Sequence, residues 1–396
     1  MSDQGLLSIL AIIVIVILIQ NHHAVRFVIG LILRPPSPHR VFMETLKHGL
    51  AKTMQTYVVN EGGYAMFRIP LEKEPHILTT QHIPINEHRD VFLKKGSVPR
   101  MIMDIALVTP KGTSVFLQNY EERGPENRSK AEYMAALTST NIERYRKTIR
   151  ALLRERVVAT ILERIMAITW VLHFGRRPKS EEVEYMMLYF RVFSPQYMIM
   201  ERQEYMKRKP EFTELLIRNI KEASPESITG IWRDRNYFSQ EQMAVEVSHN
   251  ILAMTMQWLT MSRRALRVPE EARHDTENFF QRNAFASFIA SSTRSNHMVV
   301  QVLGTKGSPV NNRPSEDKKK CPFHTGLYVA QGDEIVPVGH KVNTDPGFNA
   351  FGHGYRRCAG EVLTRAFLEE LLEAMPVEPP SSYPKAGTIW GLSVVE

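Results

Sequence analysis

The stretch Phe351-Gly352-His353-Gly354-Tyr355-Arg356-Arg357-Cys358-Ala359-Gly360 constrains this 396-residue chain more than any other. It sets one of only two cysteines in a glycine-flanked turn, behind two arginines. The segment after it, Ala359–Met375, is predicted helical: Val362, Phe367, Leu368, Leu371, Leu372 and Met375 fall on one stripe. Cys358 thus opens a helix, where the backbone dipole and nearby cations favour thiolate over thiol. Gly354 and Gly360 let backbone approach a flat group that a Cβ would strike. Two uses stay open. The cysteine is a small buried hydrophobe ahead of a helix, or its sulfur ligates a haem iron. In the second case Arg356 forms a forked pair with a haem propionate. Phe351 packs beside the sulfur and keeps water off it. Thiolate ligation pushes electron density to the iron and favours O–O cleavage.

The ordered run F-G-x-G-x-R-R-C-x-G resembles the haem-binding loop of the cytochrome P450 family, departing at Tyr355, where many members carry proline. The resemblance covers most of residues 40–396 and is strong from about 326 to 375. It implies a mainly α fold with small β-sheets, a single P450-like haem domain over 41–396. It implies haem b (iron protoporphyrin IX), with Cys358 as the metal ligand and Phe351, Gly354, Arg356, Gly360 and Arg294 as cofactor-binding residues. The activity implied is that of a haem-thiolate monooxygenase. Such an enzyme uses two electrons from a reductase and one O2 to insert one oxygen into a lipophilic small molecule, such as a lipid, fatty acid or sterol-like compound.

Net charge is +8, from 50 Lys and Arg against 42 Asp and Glu. A basic balance invites an anionic partner: membrane lipid, or an acidic redox partner of the P450-reductase type. No nucleic-acid module is present, which puts nucleic acid last. Two cysteines make no disulfide framework and suit a reducing compartment. The sequence shows no internal repeat, no Ser-His-Asp elbow, no zinc-spaced Cys/His cluster and no phosphate-binding loop. The 19 methionines suit an adaptable apolar pocket.

Leu6–Ile19 is uncharged and apolar throughout. It is slightly short for a span, which takes roughly 17–25 residues; extension through Asn21-His22-His23 into Ala24–Leu33 gives a tilted span, and a short span followed by an interfacial segment is the equal alternative. Asp3 precedes the run and no Lys or Arg does, which argues against a cleaved signal peptide. The cations follow it, which places the body of the protein in the cytosol. Residues 1–34 are therefore expected to be a single-pass anchor, of endoplasmic-reticulum type in a eukaryote. Pro35-Pro36-Ser37-Pro38 gives a stiff hinge over 35–40.

Between hinge and cysteine loop the periodicity predicts helices over 41–58, 141–174 and 242–266, and a Met-, Tyr- and Phe-rich run over 183–206. Two strand pairs are expected, at 64–69 with 76–80 and at 326–338. The arginines of 141–174 read as a solvated face, and the 183–206 run as helix packing or a lid over a substrate channel. Helix 242–266 resembles the family's distal helix. The family's acid–alcohol pair is missing there: registering on Pro269 puts Leu252 and Ala253 in its place. Thr255, Gln257 and Asn250 are the candidate catalytic residues, with His249 the remaining polar group in that stretch. A distal helix of this kind also fits a peroxygenase, or an isomerase or dehydratase of a peroxide. The family's Glu-x-x-Arg corresponds best to Ser291-Ser292-Thr293-Arg294, on a helix expected over 279–297, so the glutamate is absent. No tryptophan lies in 98–130, where the family has one; Arg128 or Lys130 is the alternative propionate partner, or both are solvated loop charges. The meander before the cysteine loop is shortened. These departures keep open a non-catalytic haem-binding protein.

Overall fold

The computed structural model describes residues 113–155, 159–192, 198–265, 351, 355 and 357–374, together with short strands between 64 and 393. The expected anchor at 1–34, the hinge at 35–40 and the helix at 41–58 lie outside the described residues. Gly354, Arg356 and Cys321 also lie outside them. Among the described residues, no helix is long and apolar enough to cross a membrane. The chain divides into two units, Met1–Ile83 with Arg294–Val338, and Pro84–Thr293 with Gly339–Glu396.

In the first unit β1 (Tyr64–Phe67) and β2 (His76–Thr79) form the expected antiparallel pair, Tyr64 opposite Thr79 and Phe67 opposite His76. Strand β3 (Phe92–Leu93) belongs to the second unit. Strand β4 (Thr293–Ser295) corrects the expected helix over 279–297: Arg294 sits on a strand. Serine and threonine hydroxyls compete for helix backbone, and Ser291-Ser292-Thr293 and Ser295 supply four of them around Arg294. Strands β5 (Val299–Leu303), β6 (Leu327–Ala330) and β7 (Glu334–Pro337) complete the unit. The 326–338 region is strand, turn, strand as expected, but its strands do not pair with each other. Strand β6 runs antiparallel to β5, while β7 runs parallel to β2 with His76 opposite Glu334. Local pattern specifies strands, whereas the partner is chosen by which ladder offers unpaired backbone.

The second unit is mostly helical. Its helices are α1 (Arg128–Met134), α2 (Ser139–Leu153), α3 (Ile161–Phe174), α4 (Ser180–Val192), α5 (Met198–Glu222), α6 (Ile228–Arg235), α7 (Gln240–Ala265) and α8 (Glu361–Ala374). A small hairpin, β8 (Thr388–Ile389) with β9 (Leu392–Ser393), follows. The predicted helix 141–174 is two helices. Thr160 ends the break with a capping box: its hydroxyl accepts from Glu163 N–H at 3.2 Å, and its own N–H donates to Glu163 Oε2 at 2.7 Å. Gly175 closes α3 in the left-handed region at φ 76°. A Cβ there would lie 2.4 Å from Ser224 Cβ, and one at Gly230 would lie 1.9 Å from Ser224 O, so both glycines grip the same turn.

Helices α2, α3, α7 and α8 pack as a four-helix core. Ile142, Tyr145, Ile149 and Leu152 of α2 are buried, as the 3.6-residue period predicts. Trp258 of α7 stacks on Phe367 of α8 with centroids 4.1 Å apart, and its indole N–H donates to Thr364 at 3.2 Å. Fully burying an apolar side chain of this class stabilises by about 1.5–3 kcal/mol. The arginines of α2 are not a solvated face. Arg146 pairs with Glu369 at 2.5 Å, Arg150 holds Glu370 through two bonds of 2.6 and 2.8 Å, and Arg154 reaches Glu373 at 3.5 Å. The acids arrive from a helix more than 200 residues downstream, so nothing local reveals them. On α8, Val362 departs from the predicted stripe and is exposed, while Leu363, Ala366, Phe367 and Leu371 form the buried face. In the Met-, Tyr- and Phe-rich run, Met186, Tyr189 and Phe190 are buried core residues, and Tyr185 stacks on Phe212 of α5 at 5.4 Å.

Candidate functional site

Cys358 sits just ahead of α8, half-buried and not in a disulfide. Its N–H donates to Phe351 O at 2.7 Å. Thr364 N–H donates to Gly360 O at 2.9 Å and begins the helical ladder. Burial pushes the Cys358 thiol up from its usual range; the backbone N–H groups of Gly360 and Glu361 and the charge of Lys130 act against that, and the Glu361 carboxylate adds to it. Phe351 is buried beneath the loop with the Arg365 guanidinium 5.5 Å from its ring centre. Arg357 is exposed and pairs with Glu361 at 2.7 Å.

Two cations hold the carbonyls of this loop. Arg123 is 1% exposed, donates to Tyr355 O at 2.6 Å and lies 5.4 Å from the Tyr355 ring centre. Lys130 donates to Tyr355 O at 2.9 Å and to Arg357 O at 2.5 Å. Burial, then the Arg123 charge, lowers the Lys130 ammonium to about 8. Of the two charges weighed from sequence, Lys130 is therefore turned to the cysteine loop, while Arg128 pairs with Glu132 at 2.5 Å. Arg123 was not anticipated; its partner lies 232 residues away. Tyr355, the departure from the family pattern, is buried between Arg123 and Tyr120, whose ring meets it edge-on at 5.1 Å.

Helix α7 is buried along most of its length, yet Ala253 is exposed and His249 and Met254 are half-buried. The helix is open on that side. At about 100° per residue, Asn250 and Gln257 fall within about 60° of Ala253, and Thr255 about 160° away. Thr255 is fully buried, and its Oγ1 has no hydrogen-bond partner among the described residues; the same holds for Gln257 Nε2. Tyr133 OH donates to Asn250 Oδ1 at 2.8 Å. One turn earlier on the open face lies Glu246, which sequence reasoning missed. It is fully buried, and its carboxyl accepts from Val115 N–H at 2.8 Å, Ser114 Oγ at 3.0 Å and Gln242 Nε2 at 2.6 Å. Burial pushes it up to about 7 against those bonds. Ser114 Oγ is also hydrogen-bonded to His249 Nδ1. A Glu at 246 and a His at 249 share a helix face by spacing alone, and that was the available signal.

The two regions meet at Tyr133, whose phenol is raised first by burial and then by the charges of both Glu246 and Cys358. Trp258 ties α7 to α8 behind them. No family model matches the chain, and no curated protein matches it. Solved structures do. Ligand-free cytochrome P450 OleT superposes with TM-score 0.57 at 15% identity, over 84% of this chain and 88% of that one. An OleT variant in complex with arachidonic acid gives 0.58 at 14% identity, over 89% and 97%. The fold is that of the cytochromes P450. OxyE, a cytochrome P450 involved in teicoplanin biosynthesis, gives 0.52 at 16% identity, over 82% and 88%.

The residues present fit the haem that a P450 fold implies. A half-buried cysteine that is in no disulfide stands just ahead of α8, with its own N–H bonded to Phe351 O. A Cβ at Gly360 would meet only Cys358 Sγ, at 3.7 Å, an ordinary contact. Among the described residues, nothing else lies within 4 Å of that position. Phe351, Cys358 and Gly360 share this turn, and Asn250 and Gln257 share the open side of α7. Thr255 is not on that side. For Arg294 the backbone is placed on β4.

Proposed function

We propose that the chain is a haem-thiolate oxidoreductase of the P450 type, binding haem b through Cys358 and acting on a lipophilic small molecule. One observation supports it above the rest: a half-buried cysteine outside any disulfide, just ahead of α8 and tied by its N–H to Phe351 O, within a P450 fold. The bound group supplies oxygen activation, through the electron density that a thiolate ligand donates. The chain's own residues hold the loop: Arg123 and Lys130 donate to the Tyr355 carbonyl, and in this reading buried Phe351 keeps water off the sulfur, as the sequence resemblance implies. In this reading Gly354 and Arg356 line the ring and its propionate, as the sequence resemblance implies. A substrate of the long-chain fatty acid class is favoured by the arachidonic acid held by the OleT variant. The proposal includes a single-pass N-terminal anchor, a haem domain facing the cytosol, and docking of an acidic redox partner on the cations around Arg357.

A second reading has support of its own. Thr255 lies away from the open side of α7, and Ala253 stands where an alcohol would be. That favours peroxide over O2 as oxidant, since Leu252 and Ala253 stand where the family's adjacent acid and alcohol would be. Turnover of a long-chain fatty acid separates the two. Product with hydrogen peroxide alone, and none with reductase and NADPH, is expected for the peroxide user; the reverse identifies a monooxygenase. Purified protein that carries no haem by pyridine haemochrome assay rejects both.

A further inference from the structure

Besides the residues already assigned, the distal helix carries a buried hydrogen-bonded chain that the P450 sequence pattern does not contain. We infer that Glu246, Ser114 and His249 form a proton relay that stores one proton and hands it, from His249 Nε2, to a peroxide oxygen lying against the open side of α7. The destination rests on the haem-thiolate reading; the relay rests on the chain's own geometry.

The order of the groups decides how the proton is arranged. Glu246 Oε1 accepts two bonds, from Val115 N–H at 2.8 Å and Gln242 Nε2 at 2.6 Å. Among the described residues Oε2 meets only Ser114 Oγ, at 3.0 Å. A proton on the carboxyl therefore sits on Oε2 and is donated to Ser114 Oγ. A hydroxyl has one proton, so Ser114 then donates to His249 Nδ1. A neutral imidazole carries one N–H, which is then on Nε2, the ring end away from Ser114. With Glu246 ionised, every bond reverses: Ser114 donates to Oε2, His249 Nδ1–H donates to Ser114, and Nε2 is a bare acceptor. The far end of His249 is thus a donor or an acceptor according to a carboxyl two bonds away.

Delivery runs in one concerted sense. The Nε2–H bond breaks toward the peroxide oxygen, Nδ1 takes the Ser114 proton, and Ser114 takes the Oε2 proton, leaving Glu246 as carboxylate. Uptake of one proton from water at Nε2 reverses the sequence and refills the store. His249 is half-buried one turn from exposed Ala253, with its ring edge-on to Phe116 at 5.6 Å. Glu246 is pushed up to about 7, by burial, so both charge states are accessible near neutral pH. His249 is held down to about 4, also by burial, so it stays a neutral tautomer rather than a cation over that range. The other groups that act on the cluster are Arg123, which lowers the carboxyl, and Tyr133, whose phenol is raised by Glu246. On the neighbouring helices, His173 of α3 turns to Thr229, Tyr189 of α4 approaches Tyr205 of α5, and Glu361 of α8 turns to Arg357 and Arg365.

The test is a nitrogen-15 NMR titration of the full-length protein labelled at histidine, from pH 5.5 to 8.5, with His249→Gln identifying the signals. Expected is a change of His249 tautomer, Nε2–H at low pH and Nδ1–H at high pH, with a midpoint near the carboxyl's value of about 7. Glu246→Gln abolishes the change. Ser114→Ala also abolishes it while leaving the Val115 and Gln242 bonds to Glu246 in place, so it decides the matter if the first variant folds poorly. A fixed tautomer in the parent protein, or a change that survives both substitutions, overturns the relay. These readouts do not depend on thiolate ligation, so failure of the relay and failure of the haem-thiolate reading are separately visible.

Discussion

Arg123 and Lys130 put two cations on the carbonyl oxygens of one short loop, and Arg123 does so from complete burial. A buried charged donor of this kind is costly to remove, because the carbonyl it served loses its charged partner. Arg123→Leu is expected to lower unfolding free energy by about 1–3 kcal/mol, read as a shift in urea midpoint at constant slope. An unshifted midpoint shows that Lys130 alone satisfies Tyr355 O. At this scale legibility follows contiguity. Cys358, Phe351 and Gly360 were readable because the motif lies within ten residues of sequence. Arg123 and Ser114 were not, since their partners lie 232 and 132 residues away. Thr255 was a candidate because a register shifted by a few residues offers its hydroxyl, and the helix turns that position about 160° from Ala253.

The elements depend on two kinds of contact between α7, α8 and α2. Trp258 is fully buried on Phe367, so Trp258→Ala leaves a large cavity between α7 and α8 and is expected to cost about 3–5 kcal/mol. Trp258→Phe keeps most of the stacking and loses the bond to Thr364, at about 1 kcal/mol. Equal losses in the two variants, by calorimetry, would mean that the stack contributes little. Across the α2–α8 seam, Glu370 is buried beneath Arg150 and Arg146. Removing both arginines strands a buried carboxylate, whereas Glu370→Leu removes the charge itself. The leucine variant is therefore expected to be the more stable of the two in urea, and the opposite order would show that the ion pairs are net stabilising. Helix positions were legible from periodicity. The break at Thr160 was overlooked although the Thr160–Glu163 box was in the sequence, and the pairing of β7 with β2 was set by distant backbone.

For the whole molecule, buried titratable groups set the pH response. Burial holds His173 down to about 3 and His249 down to about 4, while their unfolded values are near 6.5. Below pH 6.5 the unfolded chain takes up protons that the folded protein refuses, so stability falls as pH falls. Glu246 acts in the opposite sense: raised to about 7, it holds a proton that the unfolded chain releases, and this contribution is lost as pH rises from about 4.5 through 7. His173→Gln is expected to recover about 2–3 kcal/mol of the stability that the parent loses between pH 6.5 and 4.5, measured by urea unfolding at each pH. Parallel pH curves for the two proteins would show that His173 is protonated in the folded state. The P450 fold was legible from one ten-residue loop. The polar chain on the distal helix was not, because its serine comes from a segment with no recognisable pattern of its own.

Thiolate ligation by Cys358 is tested most directly by the difference spectrum of the reduced protein with carbon monoxide. The full-length protein is expected to show the red-shifted Soret band of a thiolate-ligated haem, retained in Cys321→Ala and abolished in Cys358→Ala. A red-shifted band that persists in Cys358→Ala, or a haem-loaded parent protein that lacks it, would contradict ligation through this cysteine.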